Sequence, residues 1–275
     1  MERKELSYYE EIARRVRIDI IKATYNAGSG HPGGSLSCAD ILTALYFGEM
    51  NIDPEHHDMK GRDRFVLSKG HAVPAQYSVL AERGYFPVSD IMTLRKLGSS
   101  FQGHGNMQLV PGIEMSTGSL GQGFSASVGM AIADRLDNNG ARVYTLLGDG
   151  EIQEGIVWEA AMAAAHYKLT DLTAIVDWNG LQIDGKNDDV MTVRPIKEKF
   201  EAFGWHGISI DGHDFSQIFA ALDEARAVTD KPVVIVAKTT KGKGVSFMED
   251  EAGWHGKSPN EEEAKQAVKD LGGEW

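Results

Sequence analysis

The sequence predicts an α/β fold, a parallel sheet with helices on both faces, formed as a single domain over residues 1–275. Two observations predict it. Val143–Leu147, Leu172–Val176 and Val233–Ala237 are apolar apart from Thr145 and Thr173 and do not alternate, which marks strands covered on both faces. Stretches of helical period separate these runs, so strand and helix take turns along the chain as βα units do.

The elements follow in order. Ser7-Tyr8-Tyr9-Glu10 has the form of a capping box, and Tyr9, Ile12, Ala13, Val16, Ile20 and Ala23 share one face of the helix it opens. Gly28 and Gly30 close that helix, and a second spans about Leu36 to Phe47. Gly98 to Gly123 is rich in glycine and serine and has neither helical nor strand period, so it reads as a long loop with a functional role. A helix over Leu120–Leu136 leads into the first apolar run, and one over Ile152–Tyr167 leads into the second. A third strand at Gly207–Ile210 and a helix at Phe215–Ala227 precede the last run. Near the end, Ser258 is the expected N-cap of a final helix, with Pro259 at its first position and Glu261 three residues on. No repeat, low-complexity segment or interdomain linker interrupts the pattern.

Composition narrows the class of partner. A formal charge of −12 argues against nucleic acid or an anionic membrane surface as the main partner, because both call for a basic footprint. A small anionic ligand stays compatible, since a few lysines can dominate the field at one site. Cys38 is the only cysteine, so the chain builds neither a disulfide framework nor a thiolate metal site; it reads as a buried small residue. The opening Met1-Glu2-Arg3-Lys4-Glu5-Leu6-Ser7 lacks the apolar core of a secretory signal, and no apolar run approaches the ~20 residues of a membrane span. The expected location is cytoplasmic.

In open parallel sheets ligands bind beyond the carboxyl ends of the strands. Gly148-Asp149-Gly150, then Glu151 and Glu154, follow the first apolar run. Asp177-Trp178-Asn179-Gly180-Leu181 follows the second, and Lys238 to Gly244, with Lys241 and Lys243, follows the last. Asp149 and Asn179 are hard oxygen donors of the kind Mg²⁺ prefers, too few to hold it without water and a phosphorylated ligand. The glycines beside Asp149 let backbone approach closely, and the helix after them directs amides at a phosphate. Singly, each piece also reads as a turn with a capping side chain; together, on successive strand ends, they point to a site. Gly121-Gln122-Gly123 has the outline of a dinucleotide fingerprint but follows a loop, not a strand, which rejects that reading. Four histidines, His31, His71, His104 and His255, sit beside glycines in expected loops, which suits sugar-hydroxyl or phosphate contacts and proton transfer. His56, His57, His166 and His213 read as structural.

Gly148-Asp149-Gly150 followed by Asn179 resembles the thiamine-diphosphate motif. Ser29-Gly30-His31-Pro32-Gly33, Ser68-Lys69-Gly70-His71, Thr117-Gly118-Ser119-Leu120-Gly121-Gln122-Gly123 and Trp254-His255-Gly256 are similar to transketolase segments, in transketolase order, from about Arg14 to His255. The resemblance implies thiamine diphosphate and Mg²⁺ as cofactors, with Asp149, Asn179 and the Leu181 carbonyl on the metal. It implies contacts to the cofactor from Gly118, Ser119, Leu120, Gly150, Asn179 and Lys241. His71 and His255 would lie near both the diphosphate and the substrate, His31 and His104 would contact sugar hydroxyls and assist proton transfer, and Glu154 would lie at a subunit interface.

Two features depart from the family. Gly33-Gly34 stands where many members carry a small polar residue. Full transketolases also continue into a pyrimidine-binding domain and a third domain, which supply the glutamate facing the aminopyrimidine and the arginines for substrate phosphate. The resemblance is therefore to the N-terminal subunit of a split transketolase, working with a C-terminal partner subunit in an α2β2 assembly on sugar phosphates. Other readings are one chain of a deoxyxylulose-phosphate synthase-like or keto-acid dehydrogenase-like enzyme, a non-catalytic cofactor-binding scaffold, and, last, a nicotinamide-dependent dehydrogenase.

Overall fold

The structure, a computed structural model, describes residues 3–275; Met1 and Glu2, part of the opening stretch read above, lie outside the described residues. In chain order the elements are α1 (Leu6–Ala27), α2 (Pro32–Ser37), α3 (Ala39–Ala44), β1 (Arg64–Leu67), α4 (Val73–Arg83), α5 (Gln122–Asp137), β2 (Val143–Gly148), α6 (Gly155–His166), β3 (Leu172–Trp178), β4 (Leu181–Gln182), β5 (Gly185–Lys186), α7 (Asn187–Val190), α8 (Ile196–Ala202), β6 (His206–Asp211), α9 (Phe215–Ala227), β7 (Val233–Lys238) and α10 (Glu261–Asp270). Five strands form one sheet in the order β1-β2-β3-β7-β6, every pairing parallel, and β4-β5 is a separate antiparallel ribbon. The expected fold class is the observed one.

Alternate residues of the central strands feed two cores, as the pleat requires. Tyr144, Leu146, Ile175, Val233 and Ile235 pack with side chains of α1, α3, α4, α9 and α10. Val143, Leu147, Leu172, Ala174, Val176, Val234 and Val236 pack with those of α5, α6 and α8. Because both faces are dry, the strands carry no polar alternation, which is why they read as unbroken apolar runs.

Several boundaries differ from the expected ones. The first helix begins at Leu6 with Glu5 at its N-cap and no capping side chain, so Ser7 lies inside the first turn and the capping box does not form. The approach is held instead by Tyr9, fully buried against Phe215 and Phe219, whose hydroxyl accepts from the Lys4 amide at 3.0 Å. The expected helix over Leu36–Phe47 starts earlier, at Pro32, and is divided into α2, α3 and a π-helical turn at Leu45–Glu49. The division falls at Cys38, next to Ser37, whose hydroxyl turns inward to Asp177 at 2.6 Å. The stretch expected as a helix over Ile152–Tyr167 opens with a 3-10 turn, Glu151–Gln153, before α6. The final helix is capped by Asn260, not Ser258: the Glu263 amide donates to Asn260 Oδ1 at 2.9 Å, and Glu263 Oε2 accepts from the Asn260 amide at 2.8 Å. That reciprocal pair satisfies two otherwise orphan donors, which Ser258 two residues earlier does not do. β1 and α4 had no sequence signal. β1 is four residues long, and α4 is buried over Val73–Ala81, so it shows no polar face.

Where α1 meets α4, Asp19 is 7% exposed and its Oδ2 has no hydrogen-bond partner. Burial and the nearby Glu82 carboxylate push its carboxyl up to about 7, against the weaker opposing charges of Lys22 and Arg15. A carboxyl whose folded pKa lies above its unfolded value stabilises the fold at low pH, and that contribution is lost as pH rises through about 7. The melting temperature is therefore expected to fall between pH 5 and pH 8 by roughly 5 °C more in the native chain than in Asp19→Asn. Calorimetry at both pH values checks this; equal pH slopes in the two proteins would mean that Asp19 titrates normally. Among the described residues no helix is long and apolar enough to cross a membrane.

Candidate functional site

A cleft of about 380 Å³ opens beyond the carboxyl ends of β2, β3 and β7. Its lining includes His31, His71, Gly118, Leu120, Asp149, Gly150, Glu154, Asn179, Leu181, Lys241 and His255, drawn from segments far apart in the chain. Two expected residues stand off it. His104 is not part of the lining; its ring is 6.4 Å from that of His31, and a Cβ at Gly118 would lie 3.3 Å from it. Ser119, in the same loop as Gly118 and Leu120, is exposed and not part of the lining.

Sheet register sets the oxygen donors side by side. Gly148 on β2 pairs with Asp177 on β3, so the turns after those strands leave the sheet together. The Asp149 carboxylate accepts from the Gly180 amide at 2.5 Å and the Gly150 amide at 2.9 Å. Gly180 holds a left-handed φ of 83°, a conformation that favours glycine. Asn179 Oδ1 accepts from the Leu181 amide at 3.1 Å, and its Nδ2 donates to Asp177 at 3.3 Å, which fixes the way the carboxamide faces. Burial and the Asp177 charge push the Asp149 carboxyl up to about 6, against the Gly180 and Gly150 donors.

Beneath these donors lies a buried ion pair. Asp177 is fully buried, and one of its oxygens accepts from Lys69 Nζ at 2.5 Å as well as from Ser37. The other accepts from the Thr239 hydroxyl. Burial alone would raise the Asp177 carboxyl; the Lys69 ammonium and the hydroxyl donors hold it below the usual carboxylate range. Lys69 Nζ also donates to the Gly34 carbonyl at 2.7 Å. Glu151, also buried, ties three loops together by accepting from Ser68 and from the Gly121 and Gly148 amides, at 2.8 and 2.9 Å for the amides. Gly70 lets the loop at Thr117-Gly118 close on the turn that carries His71: a Cβ there would lie 2.6 Å from the Thr117 hydroxyl.

The cationic side of the cleft is Lys241, 2% exposed. Its Nζ contacts the Leu181 carbonyl at 3.2 Å and His255 Nδ1 at 2.9 Å. Burial lowers its pKa to about 8. The turn before it is anchored by His213, whose Nε2 accepts from the Thr240 amide at 2.9 Å while its Nδ1 faces Asp40 at 2.7 Å. Asp40 is held in turn by a bidentate pair with Arg17 at 2.6 and 2.9 Å, so His213 is structural, as expected.

Three histidine rings cluster at the mouth: His31 is 5.2 Å from His71 and 5.5 Å from His255, and His71 is 4.9 Å from His255. Burial leads in lowering the pKa values of these three and of His104, with Lys69 adding at His71, Lys241 at His255 and Arg95 at His31 and His104. His31 falls to about 4 and His255 to about 3, so both rings are neutral at pH 7. At Gly33 a Cβ would come within 2.9 Å of the Trp254 carbonyl, leaving no room for a side chain. At Gly34 the nearest atom, His71 Nε2, is 3.6 Å away, so Gly34 opens part of the cleft.

The sequence pointed to the oxygen donors and the glycine-flanked histidines but gave no role to Lys69, Asp177, Glu151 and Arg95. Lys69 and Asp177 lay inside segments it had singled out; the signal available was a charge within an otherwise buried strand end. Arg95 carried no signal.

Residues 9–274 match the family model described as "Transketolase, thiamine diphosphate binding domain", and the chain belongs to that family. Its cofactor is thiamine diphosphate. Among curated relatives, it is 44% identical over 267 residues to a 6-deoxy-6-sulfo-D-fructose transketolase subunit of Clostridium sp. (strain MSTE9), covering 97% of this chain and 96% of that one. It is 42% identical to one of the apulose-4-phosphate transketolase subunits of Phocaeicola vulgatus, covering 92% of this chain and 89% of that one. A solved Pichia stipitis transketolase in complex with sedoheptulose 7-phosphate superposes with a TM-score of 0.92 at 35% identity, over 98% of this chain and 41% of that chain. This chain thus spans about two fifths of the full transketolases and nearly all of the relatives named as subunits.

The site fits such a cofactor on its own chemistry. One buried carboxylate, one oriented carboxamide and one carbonyl are hard donors that leave coordination positions for water and phosphate oxygens. Lys241 is a buried cation in the cleft wall, and Gly118 and Gly150 line the cleft without side chains.

Proposed function

We propose that this chain is the thiamine-diphosphate-binding subunit of a two-chain transketolase, which transfers a two-carbon ketol unit from a ketose phosphate to an aldose phosphate. The observation that carries the reading is the convergence in one cleft of Asp149, Asn179, the Leu181 carbonyl and Lys241 with His31, His71 and His255. The bound cofactor supplies an electron sink that lets a carbon–carbon bond next to a carbonyl break. The chain supplies anchoring, orientation and proton handling.

In this reading Asp149, Asn179 and the Leu181 carbonyl hold Mg²⁺ against the diphosphate. Lys241, His71, His255, Asn179, Gly118, Ser119, Leu120 and Gly150 contact the cofactor. His31, with His104, hydrogen-bonds substrate oxygens, and with His71 and His255 moves protons there; neutral rings can both donate and accept. Gly34 leaves this work to backbone, the cofactor meeting no side chain at that position. Glu154 sits on the rim of the cleft, which supports a place at the subunit interface. The names of the Clostridium and Phocaeicola relatives as subunits support a companion chain, and we infer an α2β2 assembly in the cytoplasm.

The test is to purify the chain with its companion from the native host and to assay ketol transfer and 2-keto-acid decarboxylation, each with and without thiamine diphosphate and Mg²⁺. Ketol transfer that requires both chains and both cofactors is expected. Decarboxylation without ketol transfer, or inactivity of the reconstituted pair, would overturn the proposal.

A further inference from the structure

Arg95 lies in the loop between α4 and α5, in none of the segments used so far. Its backbone is left-handed, with φ of 58°, a conformation that costs a non-glycine residue energy and persists where its surroundings hold it. The surroundings are visible. The Arg95 amide donates to the Phe101 carbonyl at 2.8 Å, and Nη1 donates to the Ser29 hydroxyl at 2.8 Å. The guanidinium lies over Gly103, where a Cβ would sit 2.7 Å from Arg95 Cζ. So placed, Nη2 points at His31 Nδ1 from 3.4 Å.

A guanidinium carries five donors and no acceptor, and it does not lose its proton in proteins. A hydrogen bond between it and an imidazole nitrogen therefore has one sense only: the nitrogen accepts. With Nδ1 of the neutral ring accepting, the ring proton sits on Nε2, on the side of the ring that borders the space above Gly256. We propose that Arg95 is a positioning residue that holds His31 in the Nε2–H tautomer, so that His31 offers a hydrogen-bond donor to a substrate oxygen. The tautomer assignment stands on this chain alone; its use in substrate binding rests on the function proposed above. The bond is exposed to solvent and long, so its effect is on which tautomer is populated and not on stability.

Selective ¹⁵N-histidine labelling of the full chain, with two-bond proton–nitrogen correlation and His31→Asn to assign the ring, reads the tautomer directly. In the native chain at pH 7 His31 should show a protonated Nε2 and an accepting Nδ1. Arg95→Met should shift His31 to a tautomer mixture, and Arg95→Lys, which still donates, should restore most of the native pattern. In the enzyme assembled with its companion, Arg95→Met should lower kcat about 2- to 5-fold, in proportion to the Nε2–H fraction the ring loses, with KM changed less than about 2-fold. Native His31 protonated on Nδ1, or ring shifts and kcat untouched by Arg95→Met, would overturn the proposal. So would a KM rise confined to phosphorylated substrates with His31 shifts unchanged, which would make Arg95 a substrate-anion contact. The NMR arm needs neither cofactor nor companion chain. An expected tautomer in an assembly that transfers no ketol unit would leave the positioning role intact and remove the proposed function.

Discussion

Asp149→Ala is expected to weaken thiamine diphosphate binding on the order of 100-fold or more and to remove the dependence of that binding on Mg²⁺. The carboxylate is the sole negative charge among the three proposed metal donors, so it is the chain's own share, beside the diphosphate's charge, in offsetting the dehydration of a divalent ion. Loss of partners that merely orient metal ligands costs about 10–100-fold, so loss of a ligand itself belongs at or above the upper end. Asp149 also takes part in fastening the two turns: its oxygens accept from Gly150 and Gly180, and alanine frees both amides. Asp149→Asn, which loses the charge but keeps an acceptor for one of these two amides, shows how much of the loss comes from the charge. Calorimetric titration of both variants, with Mg²⁺ and with chelator, makes the comparison. Binding unchanged in Asp149→Ala would remove the proposed metal site.

The second large effect falls on stability. Lys69 and Asp177 are both essentially removed from solvent and meet at 2.5 Å. Taking away one member of such a pair leaves the other charge buried without compensation, a loss of about 3–5 kcal/mol. Lys69→Met is expected to destabilise the chain by that amount. Adding Asp177→Asn, which removes the orphaned charge and keeps an acceptor for one of the Ser37 and Thr239 hydroxyls while its NH2 donates to the other, should recover about half of it. Urea unfolding of the native chain and the two variants tests the coupling. A loss below about 1 kcal/mol in Lys69→Met would show that the pair is not the clamp its geometry describes. The pair also bears on the site, because Asp177 orients the Asn179 carboxamide. The double variant should therefore regain stability without fully regaining cofactor affinity.

Much of the fold was legible because its physical cause is local. Strands buried on both faces are apolar at nearly every position, so β2, β3 and β7 stood out within one or two residues of their ends. Elements without a local cause were lost: α4 is buried on every side and has no polar face to give period, and β1 owes its strand conformation to pairing with β2. Capping failed at both ends of the chain for related reasons. At Ser7 the burial of Tyr9 outweighed a capping box worth about 1 kcal/mol. At the other end Ser258 and Asn260 each have a glutamate three residues on, and the helix begins at Glu261, so the reciprocal pair closes at Asn260 and not at the expected Ser258.

The site divides along the same line. Residue types and spacing were enough to name Asp149, Asn179, a lysine cluster that includes Lys241, and the glycine-flanked histidines, since hard donors, cations and imidazoles are properties a side chain carries wherever it is placed; the family resemblance picked Lys241 out of the cluster. Which of them meet was decided by the parallel register of β2 with β3 and β3 with β7, a contact between segments separated by an α-helix or more. Only the folded chain revealed that Lys69 neutralises Asp177, that burial leaves His31 and His255 uncharged at pH 7, and that Arg95 stands behind His31. The reason is the nature of the quantities: protonation state, tautomer and ion pairing are set by distance and solvent exclusion, and both arise only when remote parts of the chain come together.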